Sequence, residues 1–178
     1  IGVGLVGSEM CIRDRDYSKQ NRWVDSIYNN LDLEEKIGQL ITVWVATQYG
    51  EDEIKHISKL IEDYKLGGLI FSLGDIKSQA KAINKFQKQS KVPLLISMDA
   101  EWGIGMRLDD GFSFPYNMTL GAIENDSLIY QVGKRIGFHA KRLGVQINFA
   151  PVVDINTNPA NPIIAVSYTH LRAHETNS

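Results

Sequence analysis

Cysteine and long apolar runs are both scarce in this sequence. Its single cysteine, Cys11, cannot form a disulfide within the chain, so a small disulfide-stapled fold is excluded. The longest apolar run, around Leu40–Ala46, is far too short to span a bilayer. A formal net charge of −2 gives no electrostatic basis for binding nucleic acid or an anionic membrane. What is present, 178 residues of which 43% are hydrophobic and 22% charged, is typical of one globular domain.

Both ends of the chain resemble translated sequencing adapter rather than protein. Residues 5–15 resemble a translated sequencing adapter, within which Met10 to Asp14 back-translate to a transposon mosaic end, and residues 166–176 read as the same element on the opposite strand. Such segments are set aside before the fold is considered. The expected division is an adapter-derived segment at 1–15, a native segment at 16–164 and a second adapter-derived segment at 165–178.

This division removes several residues from the functional argument. Cys11 carries no role, and the His-x-x-x-His spacing of His170 and His174 is not interpreted as a metal site. Of the two remaining histidines, His56 lies among helix charges and is expected to be exposed, whereas His139 is expected to pack. The sequence therefore predicts no metal and no cofactor. No export signal is readable, because the true N-terminus is missing under this division.

Short apolar runs alternate with helical patterns through the native segment. Buried strands are predicted at 41–46, 68–73, 93–98 and 145–150. Helices are predicted after Asp32 and at 52–66, 76–90 and 126–143. The alternation implies right-handed βαβ units and a parallel sheet, which is an α/β fold. Periodicity alone leaves a doubly wound sheet and a (β/α)8 barrel open, but acids that follow strand ends, Asp99 and Asp154, favour the barrel.

Local signals sharpen three of these helices. Asp32 fits an N-cap, with Glu35 at the capping-box position. Gly67 stands where a C-terminal glycine is expected after the second helix. The inward stripe predicted for the helix at 126–143 consists of Leu128, Ile129, Val132, Ile136 and Ala140.

The stretch from Asp99 to Leu108 carries the most chemistry. Asp99, Glu101, Trp102 and Arg107 combine two acids, an indole and a guanidinium after a strand end. Carboxylates accept paired hydrogen bonds from neighbouring sugar hydroxyls, and an indole face can pack against the apolar side of a sugar ring. The alternative is a solvated loop with Trp102 buried for structural reasons.

Two further patterns are less specific. The glycines at 103 and 105 form part of a dinucleotide-type motif, but its third glycine is missing and an acid precedes it, so phosphate binding is not expected. Asp154 follows the fourth predicted strand and precedes an Asn/Pro-rich loop. A supporting role that orients other loop groups is favoured for Asp154 over direct contact with a substrate.

Three segments resemble the signatures of family 3 glycoside hydrolases, in order along the native part. Asp99–Leu108 resembles its Asp-x-Glu-x-Gly…Arg-Leu signature, although Trp102 stands where the family often has glycine. Phe114–Ala122 resembles its Phe-Pro-x-x-x-x-Leu-x-Ala segment. Leu143–Asp154 and its continuation to Ile164 resemble Leu-Gly-Ile-x-x-Asn-Phe-Ala-Pro-Val-x-Asp followed by Asn-Pro-x-Asn-Pro-x-Ile. The spacing is more like that of the β-N-acetylglucosaminidase branch than that of the β-glucosidases.

The resemblance implies the first half of a (β/α)8 TIM-type barrel from a retaining glycosidase that releases terminal β-linked N-acetylglucosamine or glucose. Asp99 would bind sugar hydroxyls, with Glu101 and Arg107 shaping the pocket and Trp102 forming part of its wall. The family's Arg-Ser-Phe-Gly segment, Lys-His pair, nucleophile and general acid would follow Ile164, so no catalytic residue is expected in this chain. A retaining mechanism needs its nucleophile and acid on either side of the glycosidic bond.

Several expectations follow for the protein and its parent. The partner is a carbohydrate, and no nucleic acid, membrane segment or metal is expected; the oligomeric state is open. The parent protein is expected to be periplasmic or extracellular. Half a barrel leaves open sheet edges, so the fragment is expected to be marginally stable or aggregation-prone and inactive. The alternatives are a non-catalytic carbohydrate-binding or regulatory protein on the same scaffold, and a flavodoxin-like domain with Asp99 and Asp154 at a switch point.

Overall fold

A four-stranded parallel sheet forms the centre of the computed structural model, which describes residues 17–152. The strands lie side by side in chain order, and each pairs in parallel with the next. Their bounds are β1 Thr42–Val45, β2 Gly68–Phe71, β3 Leu95–Met98 and β4 Ile147–Asn148. A doubly wound sheet reverses its strand order at a switch point, and a flavodoxin-like sheet has β1 between two other strands. The unreversed order is that of a barrel wall, so the flavodoxin-like alternative is wrong.

Helices connect successive strands and cover the sheet. Their bounds are α1 Ser18–Asn29, α2 Leu33–Gly38, α3 Gly50–Tyr64, α4 Ile76–Gln89, α5 Asn117–Gly121 and α6 Asp126–Leu143. Short 3-10 turns follow β1 and β3, at Thr47–Tyr49 and Ile104–Met106. All four predicted strands and four predicted helices are present, whereas α1 and α5 were not predicted. Among the described helices, none is long and apolar enough to cross a membrane.

The core lies between the sheet and helices α3 and α4. Phe71 of β2 and Phe86 of α4 are almost completely buried, with ring centroids 6.5 Å apart. Burying such a side chain contributes about 1.5–3 kcal/mol to folding. The other fully buried large side chains are Ile57, Ile61, Leu69, Ile96, Met98, Leu108, Gln79 and Val45. Ile83 of α4 also belongs to this core.

Strand β1 is less buried than predicted. Val45 is fully buried, but Trp44 is 44% exposed and Thr42 is exposed as well. The prediction of a buried strand is therefore wrong for one face of β1. Only β2 pairs with β1 among the described residues, and no described helix covers that face. Leu40, at the entry to the strand, is 87% exposed.

The predicted capping box of α2 is confirmed, with both of its hydrogen bonds present. The Asp32 carboxylate accepts from the Glu35 N–H at 2.8 Å, and the Glu35 carboxylate accepts from the Asp32 N–H at 3.2 Å. Glu35 also binds the ammonium of Lys91, with both oxygens within 2.8 Å of Nζ. This hydrogen bond holds the pKa of Glu35 below its ordinary value. The contact joins α2 to the segment that enters β3.

The end of α3 differs from the expectation. Lys65, not Gly67, adopts the left-handed conformation that ends the helix, with φ of 52°. Gly67 has a different purpose, because a Cβ at this position would lie 1.9 Å from the Gln39 carbonyl oxygen. A Cβ on Gly38 would likewise lie 1.8 Å from the Tyr64 carbonyl oxygen. These glycines allow the backbones before β1 and β2 to approach each other.

Helix α6 has the predicted bounds but a shorter inward stripe. Ile136 and Ala140 are buried as predicted, and Leu143 joins them. Leu128 is 53% exposed, so its predicted inward position is wrong. The buried residues of α6 all lie in its C-terminal half, and a Cβ on Gly144, just after the helix, would lie 3.5 Å from Ile83 of α4. The N-terminal half of the helix extends beyond the core.

Candidate functional site

The connections after β1, β2 and β3 meet at the carboxyl end of the sheet. The Gln48 N–H, after β1, donates to the Leu73 carbonyl after β2 at 3.4 Å. Gly74 in turn accepts from the Asp109 N–H, in the loop after β3, at 3.0 Å. Gly74 has φ of 142°, and a Cβ there would lie 2.0 Å from Thr47 Oγ1, so only glycine fits this junction. Barrel enzymes build their sites from such connections at this end.

The loop after β3 is folded tightly upon itself. Gly103 has φ of 101°, and the Gly105 N–H donates to the Phe112 carbonyl at 3.1 Å. A Cβ on Gly105 would lie 2.6 Å from the Gly111 carbonyl oxygen. The two glycines thus allow the backbone at 103–105 to contact the backbone at 111–112 of the same loop. This packing gives the glycine pattern a structural explanation without a phosphate.

Asp99 and Arg107 form the charged centre of this loop. Arg107 Nη2 donates to Asp99 Oδ2 at 2.7 Å, and Arg107 Nε donates to the Asp99 carbonyl at 3.3 Å. Both side chains are about one-third exposed. The ion pair therefore faces solvent, and the remaining oxygens and N–H groups can bind a polar ligand. Two residues that the sequence proposed as ligand contacts are brought together.

An aromatic wall lies in the same loop. Trp102 packs edge-on against Tyr116, with ring centroids 4.7 Å apart, and its carbonyl accepts from the Phe114 N–H at 2.7 Å. These rings, with Ser113, Pro115 and Thr119, line a cleft of 260 Å³. Trp102 is half-buried, so part of its indole is accessible within this cleft.

Glu101 borders a second cleft on the other side of the loop. Its side chain is half-buried and lines a cavity of 330 Å³ together with Asn117 and Asn148. The apolar wall of this cavity comes from α5 and α6, through Leu120, Ile129, Val132 and Ile136. Glu101 and Trp102 therefore line different clefts, although they are adjacent in sequence.

Sequence reasoning assigned no role to two residues that support this loop. The Asn148 side chain on β4 accepts from the Ala100 N–H at 2.9 Å and donates to the Ala100 carbonyl at 3.2 Å. Asp110 accepts from the Ile76 N–H at 2.8 Å, beside the Asp75 cap of α4. The strand-end position of Asn148 was the signal that could have identified it.

The remaining predicted residues lie apart from this centre. Asp154 lies outside the described residues. His56 is exposed, as predicted. His139 packs among the rings of Phe112, Phe114 and Phe138, which confirms the packing role. Within residues 17–152, no group of three or more metal-ligating side chains is present.

These features define an α/β-barrel type of protein with a polar crevice and an aromatic wall at the carboxyl end of its strands. The sequence model of the glycosyl hydrolase family 3 N terminal domain matches residues 32–174, and the chain belongs to this family. The predicted family is thereby confirmed. The matched range runs into the tail at 165–178, whose adapter origin stays a prediction.

Named relatives agree with this assignment. Beta-hexosaminidase A of Pseudoalteromonas piscicida is 35% identical over 123 residues, which are 62% of this chain and 21% of that protein. A beta-N-acetylglucosaminidase/beta-glucosidase of Cellulomonas fimi is 29% identical over 141 residues, 79% of this chain and 24% of that protein. A beta-glucoside phosphorylase solved with bound 2FGlc superposes with a TM-score of 0.73 at 27% identity, covering 81% of this chain and 26% of that one. The chain thus spans about a quarter of each relative.

Proposed function

We propose that this chain is the sugar-binding half of the catalytic barrel of a retaining glycosidase, which releases terminal β-linked N-acetylglucosamine or glucose. The observation that carries the proposal is the Asp99–Arg107 pair, which presents a carboxylate and a guanidinium beside an aromatic cleft. Relatives named hexosaminidase and glucosidase support the same class of substrate.

The roles of the site residues follow from their chemistry. A carboxylate such as that of Asp99 accepts hydrogen bonds from two adjacent hydroxyls, and Arg107 holds this carboxylate in place at 2.7 Å. Trp102 and Tyr116 offer apolar surface to one face of a sugar ring. Glu101 shapes the neighbouring cleft, and Asp154 orients loop groups. The protein uses no metal or cofactor in this scheme.

The chemical step belongs to residues that this chain does not contain. Retaining cleavage requires a nucleophile and an acid/base on opposite sides of the bond. We propose that both are encoded after codon 164 and that residues 1–15 and 165–178 come from adapter sequence. The 178-residue chain alone is then inactive.

Re-sequencing the source gene past codon 164 and expressing the extended protein tests this proposal. The extended protein is expected to hydrolyse p-nitrophenyl β-N-acetylglucosaminide or the β-glucoside, while the 178-residue chain releases no nitrophenol. Hydrolysis by the short chain would contradict the assignment of catalysis to the missing part. A genomic reading that encodes residues 166–178 and then stops would contradict the enzyme proposal.

A second candidate function differs only in the molecule that accepts the released sugar. The solved relative with a TM-score of 0.73 is named a beta-glucoside phosphorylase, so phosphate could replace water in the second half of the reaction. Assays of the extended protein with and without inorganic phosphate separate the two, because a phosphorylase releases a sugar phosphate. An extended protein that binds sugar but turns over with neither acceptor would favour the non-catalytic carbohydrate-binding alternative.

A further inference from the structure

Asp99 lies between two residues whose backbone groups are bound by Asn148, the last residue of β4, and by Phe149, which follows it. On one side, the Met98 carbonyl accepts from the Phe149 N–H at 3.0 Å. On the other side, the Asn148 side chain binds both the N–H and the carbonyl of Ala100, and this carbonyl also accepts from the Gly103 N–H at 3.2 Å. Strand β4 contains only Ile147 and Asn148, so its ladder with β3 ends beside Met98.

The Asn148 amide matches Ala100 in the same way that a peptide unit would. Its oxygen accepts from the Ala100 N–H and its nitrogen donates to the Ala100 carbonyl, so one side chain satisfies both backbone groups. Ala100 is 1% exposed, and water does not reach it to replace these bonds. Leaving a buried donor or acceptor without a partner costs about 1–3 kcal/mol. The Ala100 N–H is therefore held by Asn148, and the Ala100 carbonyl by Asn148 together with the Gly103 N–H.

We propose that Asn148 is a positioning residue for the Asp99 site. By extending the sheet pairing one residue beyond Asp99, it fixes the backbone from which the carboxylate projects toward Arg107. The positional part of this inference stands on the contacts alone. Its consequence for sugar affinity rests on the proposed function of the Asp99–Arg107 pair.

Gln146 provides a matched control on the same strand segment. Its side-chain oxygen accepts from the Ile96 N–H at 2.7 Å, which is also a bond from a side-chain amide to the backbone of β3. Ile96, however, lies inside β3, three positions before Asp99. Loss of Gln146 therefore removes a bond of the same type without touching the residue that follows Asp99.

The test compares Asn148→Ala, Asn148→Asp and Gln146→Ala in the full 178-residue chain. Amide hydrogen exchange is measured at Ala100 and Ile96, and the Arg107 Nε–H resonance reports the ion pair. Asn148→Ala is expected to accelerate exchange at Ala100 about tenfold and to shift the Arg107 signal. Gln146→Ala is expected to accelerate exchange at Ile96 and to leave the Arg107 signal unchanged.

Asn148→Asp keeps the volume of the side chain, so it distinguishes the loss of hydrogen bonds from the loss of packing. It also provides a test if the alanine variant fails to fold. It keeps the acceptor for the Ala100 N–H but loses the donor to the Ala100 carbonyl, so exchange at Ala100 is expected to rise, but less than in Asn148→Ala. Equal acceleration in Asn148→Asp and Asn148→Ala would overturn the proposal. So would an Arg107 signal that Asn148→Ala leaves in place or that Gln146→Ala shifts to the same extent.

Titration with N-acetylglucosamine links the two proposals and keeps them distinguishable. Asn148→Ala is expected to weaken binding about tenfold, and Gln146→Ala to leave it unchanged. If the unsubstituted 178-residue chain does not bind the sugar, the proposed sugar site fails in this chain. The hydrogen-exchange rates and the Arg107 signal still decide the role of Asn148. If the unsubstituted chain binds N-acetylglucosamine and Asn148→Ala binds it equally well, the positioning role is wrong.

Discussion

Arg107 holds Asp99 at two points, since Nη2 binds the carboxylate at 2.7 Å and Nε approaches the carbonyl at 3.3 Å. One planar guanidinium thereby fixes both the side chain and the backbone of the acid that follows β3. A lysine ammonium can bind the carboxylate as a point charge, but it has no fork with which to reach both groups. The pair is partly exposed, so its contribution to stability is small, about 0–1 kcal/mol. Its geometry thus matters more to a ligand than to the fold.

Replacing Arg107 by lysine should therefore separate stability from function. In the extended protein, Arg107→Lys is expected to lower kcat/KM for the β-N-acetylglucosaminide by about tenfold, equivalent to ~1.4 kcal/mol of binding to the transition state. The unfolding midpoint should change little, because the ion pair is exposed to solvent. Lys59→Arg, in an exposed pair with Asp63 on α3, serves as the control. Equal kinetics for Arg107→Lys and the parent enzyme would argue against a ligand contact.

The three tryptophans provide an internal comparison for sugar binding. Trp102 lies in the proposed cleft, whereas Trp23 and Trp44 are exposed elsewhere in the chain. Adding N-acetylglucosamine should shift the indole N–H resonance of Trp102 and leave the other two in place. Trp102→Phe keeps part of the apolar face and should weaken binding less than Trp102→Ala. Equal shifts at all three indoles would indicate nonspecific association of the sugar with exposed rings.

Much of this architecture could be predicted because its signals are local. The capping box of Asp32 and Glu35 and the bounds of α6 depend on neighbouring residues and on helical periodicity, and both are correct. The exposed face of β1 was missed, because the apolar run looks the same whether or not another element covers Trp44. Leu128 was misplaced for the same reason, since a stripe does not reveal where packing ends.

The site was predictable in its parts but not in its connections. Asp99 and Arg107 are eight positions apart in one loop; residue types and the family resemblance assigned both to one pocket, but the ion pair between them was not predicted. The Asn148 contact joins residues 48 positions apart, and it depends on the register between β3 and β4. No local pattern contains that register. Gly103 and Gly105 likewise became interpretable only when the loop was seen to touch itself.

Replacing Gly103 and Gly133 by alanine should change the free energy of unfolding in opposite directions. Gly103 has φ of 101°, and a Cβ there would lie 2.7 Å from the Phe112 carbonyl oxygen, so Gly103→Ala should destabilise by about 1–3 kcal/mol. Gly133 lies within α6, with nothing within 4 Å of an added Cβ. Gly133→Ala should stabilise by about 0.5–1 kcal/mol through helix propensity. Urea unfolding of both variants checks the signs, and destabilisation by Gly133→Ala would contradict the described surroundings of α6.

The Glu35–Lys91 contact predicts a pH dependence of stability. The hydrogen bond from Lys91 lowers the folded-state pKa of Glu35 from its ordinary 4.5. The unfolded chain therefore binds the proton more readily, so this stabilisation is present above pH 4.5 and is lost as the pH falls through the folded-state pKa. Glu35→Gln keeps an acceptor for the Asp32 N–H but removes the charge. Urea midpoints between pH 3 and 6 should fall less steeply for Glu35→Gln, and in a Lys91→Ala background the same substitution should add little.

The uncovered face at β1 predicts self-association that a single charge can suppress. Leu40, just before β1, and Trp44, within β1, are both exposed, and only β2 pairs with β1 in the described part of the chain. An edge with apolar neighbours offers unpaired N–H and carbonyl groups to another copy, and a lysine on such an edge disfavours pairing because its charge would be desolvated. Trp44→Lys should therefore shift sedimentation profiles toward the monomer and raise the concentration at which the chain stays in solution. Tyr130→Lys is the control, because Tyr130 is 67% exposed on α6 and lies on no strand edge. If both substitutions reduce association equally, added charge rather than the β1 edge is responsible.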